Sequence, residues 1–128
     1  DLSRINLTDD VDSIINKIKK AKTDIDPFPN DLKNLNTRPE IKNLIGIYSS
    51  LTDTKIDLLL NQFNGKNFSY FKEKLSEVLV EKISPISKEI KRLKKDPSYI
   101  DQVLSEGSKK ANELSSKKIR ELKKKFGF

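Results

Sequence analysis

The side chains with chemistry to offer are carboxylates, serines and a large excess of lysines. Glu73, Glu77 and Glu81 recur every four residues, which lines their carboxyls along one helix face. Paired carboxylates can do acid–base work, but Lys74 and Lys82 lie beside these, and weak solvated ion pairs are the expected result. Asp9, Asp10 and Asp12 cluster near the start of the chain. Three aspartates can hold a divalent cation; no glycine-bearing calcium loop accompanies them, and capping of the following helix accounts for them. The chain contains no His, Cys, Met or Trp. The usual general base, the thiolate nucleophile and nearly all soft metal ligands are therefore absent, and no histidine is present to activate a serine. Four scattered glycines make no phosphate-cradling loop. Catalysis by this chain alone is not expected, and no catalytic, cofactor-binding or metal-ligating residue is assigned.

The cations are the remaining candidates. Residues 1–81 carry 12 Lys+Arg and 13 Asp+Glu, whereas residues 82–128 carry 14 and 6, so the net charge of +7 lies in the last third. That asymmetry points to an anionic partner. Of the 26 cations 22 are lysine, an excess that coding bias in an AT-rich genome would also produce. At about 100° per residue, Lys88, Arg92 and Lys95 fall opposite the apolar stripe of one helix. Lys109, Arg120 and Lys123, flanked by Lys117 and Lys124, do so on a second helix. Such stripes can follow a phosphate backbone, or can be a solvated lysine face. The candidates for nucleic-acid contacts are Lys88, Arg92, Lys109, Lys117, Arg120 and Lys123. Tyr99 is the aromatic residue near the basic end that could stack on a base.

Two long amphipathic helices must position these cations. Phe68, Phe71, Leu75, Leu79, Ile83, Ile86, Ile90 and Leu93 step by threes and fours, as do Ile100, Val103, Leu104, Gly107, Ala111, Leu114, Leu122 and Phe126. Asn67 caps the first helix, Asp96 with Pro97 starts the second and Gly127 ends it. The expected spans are about 68–95, kinked at Pro85, and 97–126. The tight corner between them predicts antiparallel packing, with Gly107 and Ala111 letting another helix approach closely. Upstream, a helix is expected from Thr8-Asp9-Asp10 to about Lys22, and a loop over Thr23 to Arg38 around Asp26-Pro27-Phe28-Pro29-Asn30-Asp31. A helix over 39–51 and a short one over 55–63 follow, and Gly46 hints at close packing. The fold class is all-α: a bundle built on two long helices with two or three shorter ones before them. No apolar run is long enough to span a bilayer, and mean hydropathy is −0.64. With no cysteine and no secretion signal, a soluble cytoplasmic protein without a membrane partner is expected.

The order of residues carries a family resemblance. Lys20-Ala21-Lys22-Thr23-Asp24, Asn43-Leu44-Ile45-Gly46-Ile47-Tyr48-Ser49-Ser50-Leu51, Phe63-Asn64-Gly65-Lys66-Asn67-Phe68 leading into Phe71-Lys72, Pro85-Ile86, Val103-Leu104-Ser105-Glu106-Gly107-Ser108-Lys109-Lys110-Ala111-Asn112 and the Phe126-Gly127-Phe128 tail all occur in compatible order. Together they resemble the later half of bacterial tryptophanyl-tRNA synthetases, class I aminoacyl-tRNA synthetases, over almost the whole chain. Val11 departs from the proline that many members have.

The resemblance implies a parent that activates tryptophan with ATP and Mg²⁺, transfers it to tRNA(Trp) and works as a homodimer. The HIGH-like and KMSKS-like ATP signatures of its Rossmann-type domain are not in this sequence, and Leu2-Ser3-Arg4-Ile5-Asn6-Leu7 resembles the segment after the KMSKS-like loop. The implied organisation is 1–38 as the exit from that catalytic domain and 39–128 as a C-terminal helical domain recognising the anticodon. The implied partners are tRNA(Trp), the absent catalytic domain and, in the parent, a second subunit; no activity or cofactor is expected of this stretch alone. A non-catalytic protein-interaction bundle, using Leu58, Leu59, Leu60 and the stripe around Gly107, is the alternative.

Overall fold

A computed structural model describes residues 2–127. Those residues form six helices and no strand: α1 (Val11–Lys20), α2 (Leu32–Asn36), α3 (Pro39–Thr52), α4 (Ile56–Phe63), α5 (Phe68–Lys94) and α6 (Pro97–Phe126). The all-α class and both long helices match the expectation. The chain divides into two compact units, Asp1–Glu89 and Ile90–Phe128.

The first unit has one hydrophobic core. Ile14 and Ile18 of α1, Leu35 of α2, Ile41, Leu44, Ile45 and Tyr48 of α3, Leu59, Leu60 and Phe63 of α4, and Phe71, Leu75, Leu79 and Ile83 of α5 are buried in it. The helix starts are set by side chains. The Ser13 amide donates to Asp10 Oδ1 at 2.8 Å, and the Tyr70 amide donates to Asn67 Oδ1 at 2.8 Å. Each satisfies one of the amides that a helix leaves without an internal partner. At the end of α3 Asp53 takes a left-handed backbone (φ 52°) that closes the helix.

Four sequence expectations are corrected. The stretch from Thr23 to Arg38 is not all loop: Asp31 accepts from the Asn34 amide at 2.7 Å and starts α2, and Leu35 anchors that short helix in the core. Prolines at 27 and 29 precede this turn and do not interrupt it. On α5 the buried ridge steps by four through Phe71, Leu75, Leu79, Ile83 and Ser87, and Ile86 is 43% exposed. A β-carbon added at Gly46 would meet nothing within 4 Å, so close packing is not what this glycine serves. Of the three leucines at 58–60, Leu59 and Leu60 are core and only Leu58 is exposed.

The second unit differs in kind. Asp96 caps α6 through the Tyr99 amide (3.2 Å), Pro97 occupies the first turn, and left-handed Gly127 (φ 77°) closes the helix with its N–H on the Lys123 carbonyl. The spacing of the apolar stripe is helical, as expected, but no described residue of α6 is buried. Leu104 is 64% exposed and Leu114 is 74% exposed. Periodicity puts residues on one face; it does not supply what covers them.

Candidate nucleic-acid interface

Residues 90–128 carry 12 Lys+Arg and 5 Asp+Glu, a net of +7, while residues 1–89 carry 14 of each and are neutral. All of the excess charge therefore belongs to the second unit. Within α6, Lys109, Lys117, Arg120 and Lys123 fall inside an arc of roughly 120°, about opposite Leu104, Leu114 and Leu122. All four are exposed.

Glu113 shares that arc between Lys109 and Lys117, as does Glu106 one turn earlier. The uninterrupted cationic surface is thus the C-terminal part of α6: Lys117, Arg120, Lys123 and Lys124. Arg120 is steadied there by its Nε, which donates to the Ser116 carbonyl at 3.2 Å. Lys118, on another side of the helix, pairs weakly with Glu121 at 3.8 Å. The flexible, exposed ammonium groups of this surface suit the flexible oxygens of a phosphate backbone, which demands charge more than fixed geometry.

Arg92 is exposed in the last turn of α5, also in the second unit, and part of its charge serves the corner. The Asp96 carboxyl is held below its usual range, first by the Ser98 hydroxyl donating at 2.6 Å, then by the Tyr99 amide, with the Arg92 guanidinium adding to both. Lys88 is exposed on α5 but belongs to the first unit. Among the predicted residues of the second unit, Lys117, Arg120 and Lys123 share one stretch of α6, Lys109 stands beyond Glu113 on the same helix, and Arg92 sits on α5. Tyr99 is 48% exposed in the first turn of α6.

The α5 carboxylates behave as solvated groups, whereas the Asp9 side chain is largely covered. Lys74 meets Glu77 at 2.7 Å and Lys82 meets Glu81 at 3.5 Å. Asp9 accepts from Lys17 at 2.6 Å and from the Asn6 amide at 2.8 Å, and its pKa is lowered, chiefly by Lys17. Among the described residues no three His, Cys, Asp or Glu side chains are grouped to hold a metal ion. No helix of the described residues is long and apolar enough to cross a membrane.

Two part-buried polar anchors of the first unit were not legible in the sequence. Lys72 donates to the Ala21 carbonyl at 2.7 Å, and its burial lowers the ammonium pKa. Arg38 clamps the proline-rich loop: it pairs with Asp24, donates to the Pro27 carbonyl at 2.7 Å, and lies 5.5 Å from the centre of the Phe68 ring. No spacing rule links positions so far apart, although Asp24 and Arg38 bracket the loop.

Against this geometry the relatives are informative. The chain is 48% identical to the tryptophan–tRNA ligase of Agrobacterium fabrum over 129 aligned residues, covering all of this chain. It matches tryptophan–tRNA ligases along its whole length. The ligase of Rhizobium meliloti is 44% identical and that of Rickettsia felis 42% identical, again across the whole chain. The chain spans 36% of the Agrobacterium and Rhizobium ligases and 38% of the Rickettsia ligase. No protein-family model matches it.

Proposed function

We propose that this chain is the C-terminal helical part of a tryptophan–tRNA ligase, and that its basic last third holds tRNA through phosphate contacts near the anticodon stem-loop. The observation that carries this reading is the confinement of the whole +7 to residues 90–128, in a chain matching ligases named for tRNA. Lys117, Arg120 and Lys123 are the central contacts. Lys88, Arg92 and Lys109 are outlying ones, and Tyr99 is a stacking surface.

In the domain assignment that goes with this reading, residues 1–38 lead from a Rossmann-type catalytic domain and residues 39–128 serve the anticodon. Shared burial of Ile14, Ile18, Phe28 and Leu35 with α3–α5 makes the leading segment a structural foundation for the helices that follow. The whole protein would join tryptophan to tRNA with ATP and Mg²⁺, as a cytoplasmic homodimer, its ATP chemistry residing in the catalytic domain.

Titration of this chain with tRNA(Trp) at two salt concentrations tests the reading. Each phosphate contact adds about 0.7–0.9 to the slope of log affinity against log salt, so a slope near −3 is expected for about four contacts. Absence of binding at low salt, or binding indifferent to salt, would overturn it.

A further inference from the structure

A groove between α1 and α5 is left unused by tRNA binding through α6. Its volume is about 440 Å³, within the range that holds small molecules. Every residue lining it belongs to the first unit. Ile15 of α1 and Val80 of α5 supply its apolar walls. Ser76 adds little polarity, because its hydroxyl donates to the Lys72 carbonyl at 2.8 Å. We infer that this groove binds a small organic acid with an apolar body, its carboxylate on the Lys72 ammonium and its body against Ile15 and Val80.

Lys72 selects an anion. Its ammonium is partly covered and donates to the Ala21 carbonyl at 2.7 Å, a neutral group that takes one of its N–H bonds. Among the described residues no carboxylate acts on it, and burial alone lowers its pKa. The C-terminal end of α1 offers only a partial negative charge, and Lys17, Lys19 and Lys20 already stand in that last turn. A covered cation without a counter-charge is unfavourable, and a bound carboxylate supplies one. Two acids also line the groove, Glu73 and Glu77, but both act on Lys74, and Glu77 pairs with it at 2.7 Å. They stand about 100° and 140° around α5 from Lys72, with Ser76 and Val80 between. An anion at the Lys72 edge therefore lies across the apolar strip from them. None of these groups is among the α6 cations, so the site stands apart from the tRNA reading.

Octanoate is the probe and octan-1-ol its neutral counterpart, each titrated into the whole chain and followed by the methyl NMR signals of Ile15 and Val80. Both signals should move with octanoate. Octanoate should bind about tenfold more tightly than octanol, the worth of one charge-assisted hydrogen bond. That comparison needs no substitution. Lys72→Met keeps an apolar stem, removes the charge and should abolish the preference. Lys19→Met removes a solvated charge from the same groove and should change the affinity by less than about twofold. Ile15→Glu, at a residue 43% exposed, leaves the core intact and should weaken both ligands. Failure of octanoate to bind, octanol binding as tightly, shifts confined to other methyls, or a preference that survives Lys72→Met would each overturn the proposal.

Discussion

Arg38 and Asp24 form a two-pronged ion pair across the proline-rich loop, with Arg38 Nε donating to Asp24 Oδ2 at 2.8 Å and Nη2 donating to Oδ1. The Arg38 side chain is only 10% exposed while Asp24 is 34% exposed, so water screens one partner far more than the other. The hydrogen bonds from Arg38 lower the Asp24 pKa, and Asp24 in turn raises that of Arg38. Asp24→Asn leaves a largely covered guanidinium with a neutral partner. Allowing for screening, it should cost about 1–2 kcal/mol in urea unfolding.

The sign of the acid dependence follows from the same pair. A carboxyl whose folded pKa lies below its unfolded value stabilises the fold fully above the ordinary aspartate value of 3.8 and loses that contribution as pH falls through the lowered value. The native chain should lose stability below that ordinary value more steeply than Asp24→Asn. Parallel pH profiles of thermal unfolding for the two chains would show the idea wrong.

Phe28 is a loop residue built into the core. Its ring centre lies 5.7 Å from that of Phe63, 5.6 Å from Phe68 and 5.2 Å from Phe71, and the residue is 5% exposed. Phe28→Ala removes a large buried ring and leaves a cavity, at a cost of about 3–5 kcal/mol. Phe28→Leu should cost less than half of that. Denaturant titration gives both values, and a loss below 1 kcal/mol for alanine would mean that the ring is dispensable.

Ser84 works in the opposite direction. Its hydroxyl is buried with no hydrogen-bond partner, one residue before the proline inside α5. Ser84→Ala removes an unsatisfied polar atom and substitutes a better helix former, so it should stabilise the first unit by about 0.5–1 kcal/mol. A destabilisation in the same titration would show that the hydroxyl has a use.

Neutralising the cations of α6 should act on tRNA affinity in graded fashion. Lys117→Ala, Arg120→Ala and Lys123→Ala should each reduce the salt slope by about 0.7–0.9, with the losses adding across well-separated positions. Lys109→Ala should do less, because Glu113 already offsets the field there. Equal effects at 109 and 120 would mean that the contacts extend along the whole helix.

Much of this architecture was legible because it is written in local signals. Asn67, Asp96, Pro97 and Gly127 mark the helix ends where the structure has them, since capping involves only neighbouring residues. Tertiary choices were not legible. Phe28 carries no periodicity that would separate a docked ring from a solvated one, and Ser87 outcompetes Ile86 for the buried ridge because the packing partners decide, not hydrophobicity. The cationic surface was half visible: composition located its third of the chain, but the interruption by Glu113 emerges only when all charges are projected on one helix.

Phe28 stands between two prolines, and Pro29 is itself buried. Each pyrrolidine ring fixes its own φ, and Pro29 also narrows the range open to Phe28. The unfolded chain has therefore already surrendered freedom that a flexible loop would surrender only on folding. The aromatic ring reaches its seat less like a knot at the end of a string than like a peg on a stiff bracket, and glycines in place of the two prolines would slacken the bracket without touching the peg.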